Sequence, residues 1–89
     1  MKCFTTSGFR SAFALLPVDV RSQARKAYEL FQSNPQHPGL RFKLVHPSKP
    51  IYSVRISLNC RALGTVSGDV IVWFWIGSHD QYDRLLRQR

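Results

Sequence analysis

The chain is poor in acidic residues: its 89 residues include five Asp and Glu against thirteen Lys and Arg, for a formal charge of +8 and a pI near 10.4. Such an excess of one sign favours an anionic partner, whether a nucleic acid, an acidic protein or a membrane surface. With 44% hydrophobic and 20% charged residues, the composition is that of a globular protein rather than a disordered one. We expect one domain over residues 1–89, most stable when bound to something acidic.

Other features are missing as well. The longest apolar run, Val70–Ile76, is far shorter than the ~20 residues of a membrane span, and the first residues lack the apolar core of a signal peptide. Two cysteines, Cys3 and Cys60, are too few for a disulfide framework and are expected to be buried thiols in a reducing cytoplasm. No Cys/His cluster has metal-ligand spacing. The sequence therefore predicts a cytoplasmic protein without a membrane contact, metal or cofactor.

The first half of the chain has helical periodicity. After a short strand at Lys2–Thr5, apolar residues recur at the i, i+3, i+4, i+7 spacing of a helix over Phe9–Leu16. Pro17 ends that helix and suits the start of a second one, Val18–Ser33, which has an apolar stripe and a basic opposite face. A loop rich in Pro and Gly follows over residues 34–39.

From Leu40 the period becomes alternating, which predicts strands. Turn-forming residues at 46–50 and the tripeptide Ser67-Gly68-Asp69 separate them by short connections, as in an antiparallel meander. The expected fold is α+β, with two N-terminal helices packed on one face of a four- to five-stranded, mainly antiparallel twisted sheet. Asp80 would cap a short last helix over Gln81–Leu86.

The last strand, Val70–Ile76, is apolar on both faces. One interpretation is a central strand whose far side is covered by the short C-terminal segment. The other is an exposed apolar surface that a partner chain completes. The sequence leaves both open.

Basic side chains fall on the less apolar positions of neighbouring strands: Arg41, Lys43, Arg55 and Arg61. Alternation places each pair on one face of its own strand. If the strands are in suitable register, the charges converge on one cationic surface; otherwise they form a solvated basic face. Arg55 is the most suggestive, because small serines flank it.

Two residues beyond the last strand add possible chemistry. His79 carries an imidazole that titrates near neutrality and can transfer protons, although such a residue is often a surface or capping histidine. Tyr82 could stack on a base or supply a hydroxyl, although it could equally pack the terminal segment.

At this point the chain resembles the RelE/ParE superfamily of bacterial toxins. The resemblance lies in the element order and in short phrases at fixed spacing: Leu16-Pro-Val-Asp-Val20, Asn34-Pro-Gln-His-Pro-Gly-Leu40, Tyr52-Ser-Val-Arg-Ile56, Cys60-Arg61 and Ile76-Gly-Ser-His-Asp-Gln-Tyr82. RelE-like and HigB-like members cut mRNA, typically on the ribosome, whereas ParE-like members poison DNA gyrase. Both kinds are inhibited by a cognate antitoxin.

Carried over by position, the resemblance implies that Arg55 contacts the reacting phosphate and Arg61 stabilises transition-state charge. It implies that His79 is the general acid. Arg41, Lys43 and Tyr82 are expected to contact substrate. Ser53 stands where RelE itself has a second lysine, and the tyrosine near the C-terminus of RelE would fall near Leu85.

The function expected from the sequence is thus that of a type II toxin, a metal-independent mRNA endoribonuclease acting on translated mRNA. The alternatives are a ParE-like gyrase inhibitor and a catalytically inactive interaction protein on the same fold. The expected partners are an acidic antitoxin encoded by the adjacent gene, RNA and the ribosome, with no membrane.

Overall fold

The computed structural model describes residues 1–87. Five strands and three α-helices follow one another in the order β1 (Lys2–Thr5), α1 (Ser7–Ala14), α2 (Val18–Ser33), β2 (Lys43–Leu44), β3 (Ile51–Ser57), β4 (Cys60–Ser67), β5 (Val70–Ser78) and α3 (His79–Arg87). A 3-10 turn, Pro38–Leu40, precedes β2.

The strands form one sheet in the order β1-β5-β4-β3-β2. Strands β2 to β5 are an antiparallel meander, and β1 pairs in parallel with β5. Parallel strands need a long connection. Here the chain between β1 and β5 passes through both N-terminal helices and then through β2, β3 and β4. The expected α+β fold with a mainly antiparallel sheet is therefore confirmed, and no helix interrupts residues 51–76.

Both N-terminal helices pack on the same face of the sheet. The buried stripe of α2 consists of Ala24, Ala27 and Phe31, as the periodicity predicted. Phe31 is 2% exposed and makes an edge-on contact with Trp73 of β5, at 5.4 Å between ring centroids. Aromatic pairs of this geometry add to the stability that apolar burial supplies. They fix α2 over the middle of the sheet.

The first helix begins two residues earlier than predicted. The predicted helix began at Phe9, whereas Ser7 and Gly8 already belong to the first turn of α1. The reason is Thr6, whose hydroxyl oxygen accepts a hydrogen bond from the amide of Phe9 at 3.1 Å and so satisfies a free donor at the helix start. The helix ends at Ala14 rather than at Leu16.

The strand predicted from Leu40 is shorter than expected. Leu40 is buried in the 3-10 turn, and Arg41 has a left-handed backbone with φ of 47° and ψ of 43°. Only Lys43 and Leu44 pair with β3. The prediction that Arg41 and Lys43 lie on one face of a single strand is wrong, because Arg41 lies outside β2 and its left-handed backbone interrupts the two-residue period.

The alternation predicted for the last strand also fails midway. Gly64 pairs with Trp73 and Leu63 pairs with Trp75, so Phe74 is an extra residue in a β-bulge. Such a bulge shifts the pattern by one residue, which lets Trp73 and Ile76 both face the helices. Strand β5 lies between β1 and β4, and α3 packs against β4 and β5, in agreement with the interpretation of a central strand covered by the C-terminal segment.

Helix α3 starts at His79, two residues before the predicted start. Ser78 caps it, not Asp80: the amide of Gln81 donates to the Ser78 hydroxyl at 3.2 Å, and the amide of Ser78 donates to the Gln81 side-chain oxygen at 3.1 Å. This reciprocal arrangement is a capping box. The His79 amide donates to the carbonyl of Asn59 at 2.8 Å, which attaches the start of α3 to the β3–β4 turn.

Within residues 1–87, none of the helices combines the length and apolar character needed to span a membrane. The two cysteines are free thiols. Cys60 is buried as expected, but Cys3 is only half-buried, because β1 is an edge strand.

The capping box depends on a glycine, which gives a first prediction. A Cβ on Gly77 would lie 2.6 Å from the Gln81 side-chain oxygen and 2.6 Å from the ring of Trp75. Gly77→Ala should therefore lower the free energy of unfolding by about 1–3 kcal/mol, the usual cost of overpacking. Urea denaturation measures the change.

Gly8→Ala is the matched control, since the nearest atom to a Cβ there is the Thr6 hydroxyl oxygen at 3.8 Å. Alanine is favoured over glycine in a helix by roughly 0.5–1 kcal/mol, so this variant should be as stable as the parent or more so. Equal stabilities for Gly77→Ala and the parent would contradict the tight packing at the start of α3.

Candidate functional site

Two arginines face each other across neighbouring strands. Arg55 of β3 is the register partner of Arg61 of β4, and Gly77 of β5 continues the same row. Residues directly opposite on adjacent strands point to the same face, and like charges so placed destabilise a sheet. The sequence could place each arginine on a face of its own strand, but only the register brings them together.

No carboxylate neutralises this pair. Among the described residues 1–87, neither of the two ion pairs involves a Lys or Arg side chain: one joins the N-terminal amine to Asp69, the other His79 to Asp83. In the same range, the guanidinium of Arg55 has no hydrogen-bond partner, and that of Arg61 uses only Nη1, which donates to the carbonyls of Ser57 at 2.7 Å and Cys60 at 3.2 Å. The remaining N–H groups are available to a ligand.

The surroundings lower the pKa of the Arg61 guanidinium. Partial burial is the main cause, repulsion from Arg55 comes next and Arg41 adds to it, while Tyr82 and Cys60 act in the opposite direction. An arginine remains charged at neutral pH even so. A cation held beside other cations and partly out of water is a strong attractor for a phosphate group.

The two other predicted basic residues lie on the rim. Arg41 precedes β2 in the left-handed position and is close enough to Arg61 to repel it. Lys43 is exposed and pairs with Ser53, one row along from Arg55 on the same face of the sheet. Strand β2 begins only at Lys43, which pairs with Ser53, so Arg55 has no partner in β2; it lies at an open edge and helps to line a shallow depression together with Lys26 of α2.

The Tyr82 side chain is packed against the sheet and does not project into solvent. It is 7% exposed, and its hydroxyl donates to the Ser53 hydroxyl at 3.3 Å, a buried contact between residues 29 positions apart. Its ring therefore has little surface to offer a base, so the expected stacking role does not fit this arrangement. Ser53, predicted to face solvent, is 2% exposed because α3 covers it.

His79 lies in the first turn of α3, with its ring centroid 6.0 Å from that of Tyr82. Since Tyr82 contacts Ser53 and acts electrostatically on Arg61, the imidazole belongs to the same side of the sheet as both arginines. His79 is partly exposed, and its Nδ1 lies 3.2 Å from a carboxylate oxygen of Asp83. A partly exposed imidazole on the same side of the sheet as fixed positive charge can take part in proton transfer.

The neighbouring thiol is inert. Burial raises the pKa of Cys60, and Arg61 only partly opposes this effect, so the protonated form is favoured. In the described part of the chain, no group of three or more His, Cys, Asp or Glu is arranged to hold a metal ion.

Two residues on the side of the sheet that carries Arg55 and Arg61 were not among the predicted site residues: Asp83 and Ser53. Asp83 follows the last strand, and its i, i+4 spacing from His79 would have indicated a contact had α3 been predicted to start at His79. Ser53 carried no local signal, because its partner Tyr82 is distant in the chain.

Comparison with known protein families gives a match over most of the chain. Residues 18–84 match the sequence model of the ParE-like toxin domain. This range contains all six predicted site residues. No curated protein matches the chain by sequence.

Several solved structures have the same fold. The RelB–RelE antitoxin–toxin complex from Methanococcus jannaschii is similar with a TM-score of 0.74 and 22% identity, covering 91% of this chain and 96% of that one. YafQ from E. coli is similar with a TM-score of 0.71 and 10% identity, covering 91% and 96%. The YoeB/ParE toxin from Agrobacterium tumefaciens gives a TM-score of 0.71 and 14% identity, covering 89% and 99%.

The hydrogen bond between Tyr82 and Ser53 can be tested by a double-mutant cycle. Tyr82→Phe and Ser53→Ala should each destabilise the protein, because each leaves a buried hydroxyl unpaired at a cost of about 1–3 kcal/mol. The double variant should lose less than the sum, with a coupling energy of at least ~0.5 kcal/mol. Chemical denaturation of the four proteins gives the cycle.

Tyr28→Phe serves as the control, since the Tyr28 hydroxyl contacts Gln32 on the surface and the residue is 48% exposed. Its effect should stay within about 0.5 kcal/mol. Strict additivity of the Ser53 and Tyr82 substitutions would show that the two hydroxyls do not interact.

Proposed function

The chain belongs to the family of ParE-like toxin domains, and on this basis we propose that it is the toxin of a type II toxin–antitoxin system that acts as an mRNA endoribonuclease. The observation that carries the nuclease assignment is the register pair of Arg55 and Arg61, two cations directly opposite each other with no carboxylate beside them in residues 1–87. Repulsion between the two arginines destabilises the free protein, and a bound anion offsets this repulsion.

The proposed reaction uses the substrate's own 2′-hydroxyl. The 2′-oxygen gives its proton to a base and forms a bond to phosphorus, the bond from phosphorus to the 5′-oxygen breaks, and the 5′-oxygen takes up a proton; His79 carries one of these two protons and solvent water the other. Two products result, a 2′,3′-cyclic phosphate and a 5′-hydroxyl. Since the nucleophile is part of the RNA, this route requires no metal ion.

The arginine face, the side of the sheet on which Arg55 and Arg61 lie, offers candidates for charge stabilisation and for one of the two proton transfers. Guanidinium groups of Arg55 and Arg61 are always charged and donate in a fixed fork, which suits the negative charge that grows on the phosphoryl oxygens. His79 supplies an imidazole for proton transfer. Arg41 and Lys43, on the rim, are placed to contact the phosphates of flanking nucleotides.

The arginine pair can be tested directly. Arg55→Ala and Arg61→Ala should each lower the rate of mRNA cleavage by about 10²–10³, the usual loss for one donor to a transition-state anion. Induction of either variant should no longer arrest growth. Cleavage is measured by primer extension on translated mRNA, and thermal unfolding checks that each variant is folded.

Lys2→Ala removes the same charge from β1, at the opposite edge of the sheet, and should keep full activity. If both arginine variants remain as toxic as the parent, the nuclease assignment is wrong. A supercoiling assay then decides between the alternatives: inhibition of gyrase by the parent supports a gyrase poison, and no inhibition supports a non-catalytic interaction protein.

The second part of the proposal is an acidic antitoxin partner, and the opposite face of the sheet offers a place for it. A cavity of about 420 Å³ opens between α1, α2 and the sheet, lined by aromatic side chains that include Phe9, Phe13, Tyr28 and Trp73. Monomeric proteins seldom leave such an apolar groove open without a binding role. The Methanococcus jannaschii neighbour is a complex of a toxin with its antitoxin, which supports a partner of this class.

Charge indicates what kind of segment the groove accepts. Arg10 and Arg25 line it, and Arg25 lies over the ring of Phe13 at 5.3 Å from the centroid. Neither arginine contacts a carboxylate within the described residues. An amphipathic acidic segment would fill the apolar floor and neutralise the rim.

Tyr28→Glu should weaken this association. Tyr28 is 48% exposed, so the change should leave the fold intact while it removes an aromatic contact and adds a charge that repels an acidic segment. We expect the dissociation constant for the product of the adjacent gene to rise by about tenfold or more, which corresponds to roughly 1.4 kcal/mol. Isothermal titration calorimetry measures it.

Leu58→Glu introduces the same charge at a residue that is 71% exposed in the β3–β4 turn, outside the groove, and should bind like the parent. Equal weakening by both variants would indicate a general charge effect. Unchanged binding by Tyr28→Glu would place the antitoxin elsewhere.

A further inference from the structure

The three histidines use their Nδ1 atoms in two different ways. His37 Nδ1 accepts a hydrogen bond from the amide of Gly39 at 3.1 Å, and His46 Nδ1 accepts from the amides of Ser48 and Lys49 at 3.1 and 3.0 Å. A ring nitrogen that accepts carries no hydrogen, so in a neutral imidazole the hydrogen of these two rings is on Nε2.

His79 has the opposite arrangement. Its Nδ1 lies 3.2 Å from the Oδ2 atom of Asp83, one helical turn further along α3. An ionised carboxylate can only accept, so the shared hydrogen belongs to Nδ1. In the neutral ring, the lone pair is then on Nε2, the nitrogen that remains free to exchange a proton.

We propose that Asp83 is a positioning residue for His79, which fixes the imidazole in the Nδ1–H tautomer and leaves Nε2 free to exchange a proton. The assignment of a role in catalysis rests on the proposed nuclease function. The contact and the tautomer do not.

Asp83 is one of two side-chain carboxylates that form an ion pair within residues 1–87, and its partner is a histidine. Its carboxylate lies at Nδ1, which leaves Nε2 as the ring nitrogen available for proton exchange.

The backbone of α3 holds both partners in place. The His79 amide donates to the carbonyl of Asn59 and the capping box of Ser78 and Gln81 fixes the first turn. Tyr82, which lies between the two partners in sequence, is anchored to Ser53 in the sheet. With the helix fixed at both of these points, a single hydrogen bond at Nδ1 is enough to set the direction of the ring.

For the proposed reaction, this geometry allows His79 either of two proton transfers through Nε2. Nε2 can take the proton that the 2′-oxygen loses, or in the protonated ring give a proton to the 5′-oxygen, while Asp83 stays at Nδ1 and receives no proton itself. Without Asp83 the ring is free to turn and to adopt the other tautomer, in which Nε2 carries the hydrogen and cannot act as a base.

Nitrogen-15 NMR of histidine-labelled protein tests the contact without any activity assay, at a pH where the rings are neutral. The three rings provide their own comparison: His37 and His46 should show the Nε2–H tautomer, and His79 the Nδ1–H tautomer. Asp83→Ala should convert His79 alone to Nε2–H. Asp80→Ala, which removes the same charge from the same helix turn, should leave all three rings unchanged.

Cleavage kinetics then test the positioning role. Asp83→Ala should lower kcat with little change in KM, by no more than the ~10²–10⁴ expected for loss of the whole acid–base group. In a His79→Ala background the same substitution should have no further effect, since Asp83 acts only through the ring. Asp83→Glu should restore part of the rate if its longer carboxylate reaches Nδ1.

Two results would overturn the proposal: a parent His79 in the Nε2–H tautomer, or an Asp83→Ala variant with its His79 tautomer unchanged. Additive losses in the double variant would refute the positioning role and leave a structural one. A parent protein that cuts no RNA would overturn the proposed function instead, and the NMR spectra would still decide whether Asp83 holds the ring.

Discussion

The hydrogen bond from Tyr82 to Ser53 connects the last helix to the middle of the sheet and determines what the arginine face contains. It joins residues 29 positions apart and is buried, so its loss leaves two hydroxyl groups without partners. Through this bond α3 covers the far side of β4 and β5. It also holds His79 and Asp83 on the side of the sheet where Arg55 and Arg61 lie.

The distribution of charge indicates which partners the molecule can bind. The protein keeps cations close together at Arg55, Arg61 and Arg41, and in the described residues it provides none of them with a carboxylate. Such an arrangement favours binding over stability, because an anion from outside relieves the repulsion. The two proposed partners would meet opposite faces of the sheet: RNA on the arginine face under α3, and an acidic antitoxin segment in the apolar groove between α1 and α2.

Local pattern was a reliable guide wherever the backbone kept a regular period. The apolar stripe of α2 and the outward position of Arg55 and Arg61 follow from periods of 3.6 and 2.0 residues. Prediction failed where single residues broke the period. The left-handed Arg41 ended the alternation expected before β2, and the bulge at Phe74 reversed it within β5. Neither break has a signature in residue type, since neither position is a glycine.

The sequence by itself determined the elements, the excess of positive charge and the short motifs of the toxin family, because propensity, period and composition are local properties. Only the tertiary structure decided that Arg55 faces Arg61, because register depends on turns and bulges that no single strand specifies. It also decided that Ser53 is buried under Tyr82 and that the Nδ1 atom of His79 lies 3.2 Å from the carboxylate of Asp83. The first of these contacts is formed between distant segments, and the second depends on where the capping box begins the helix.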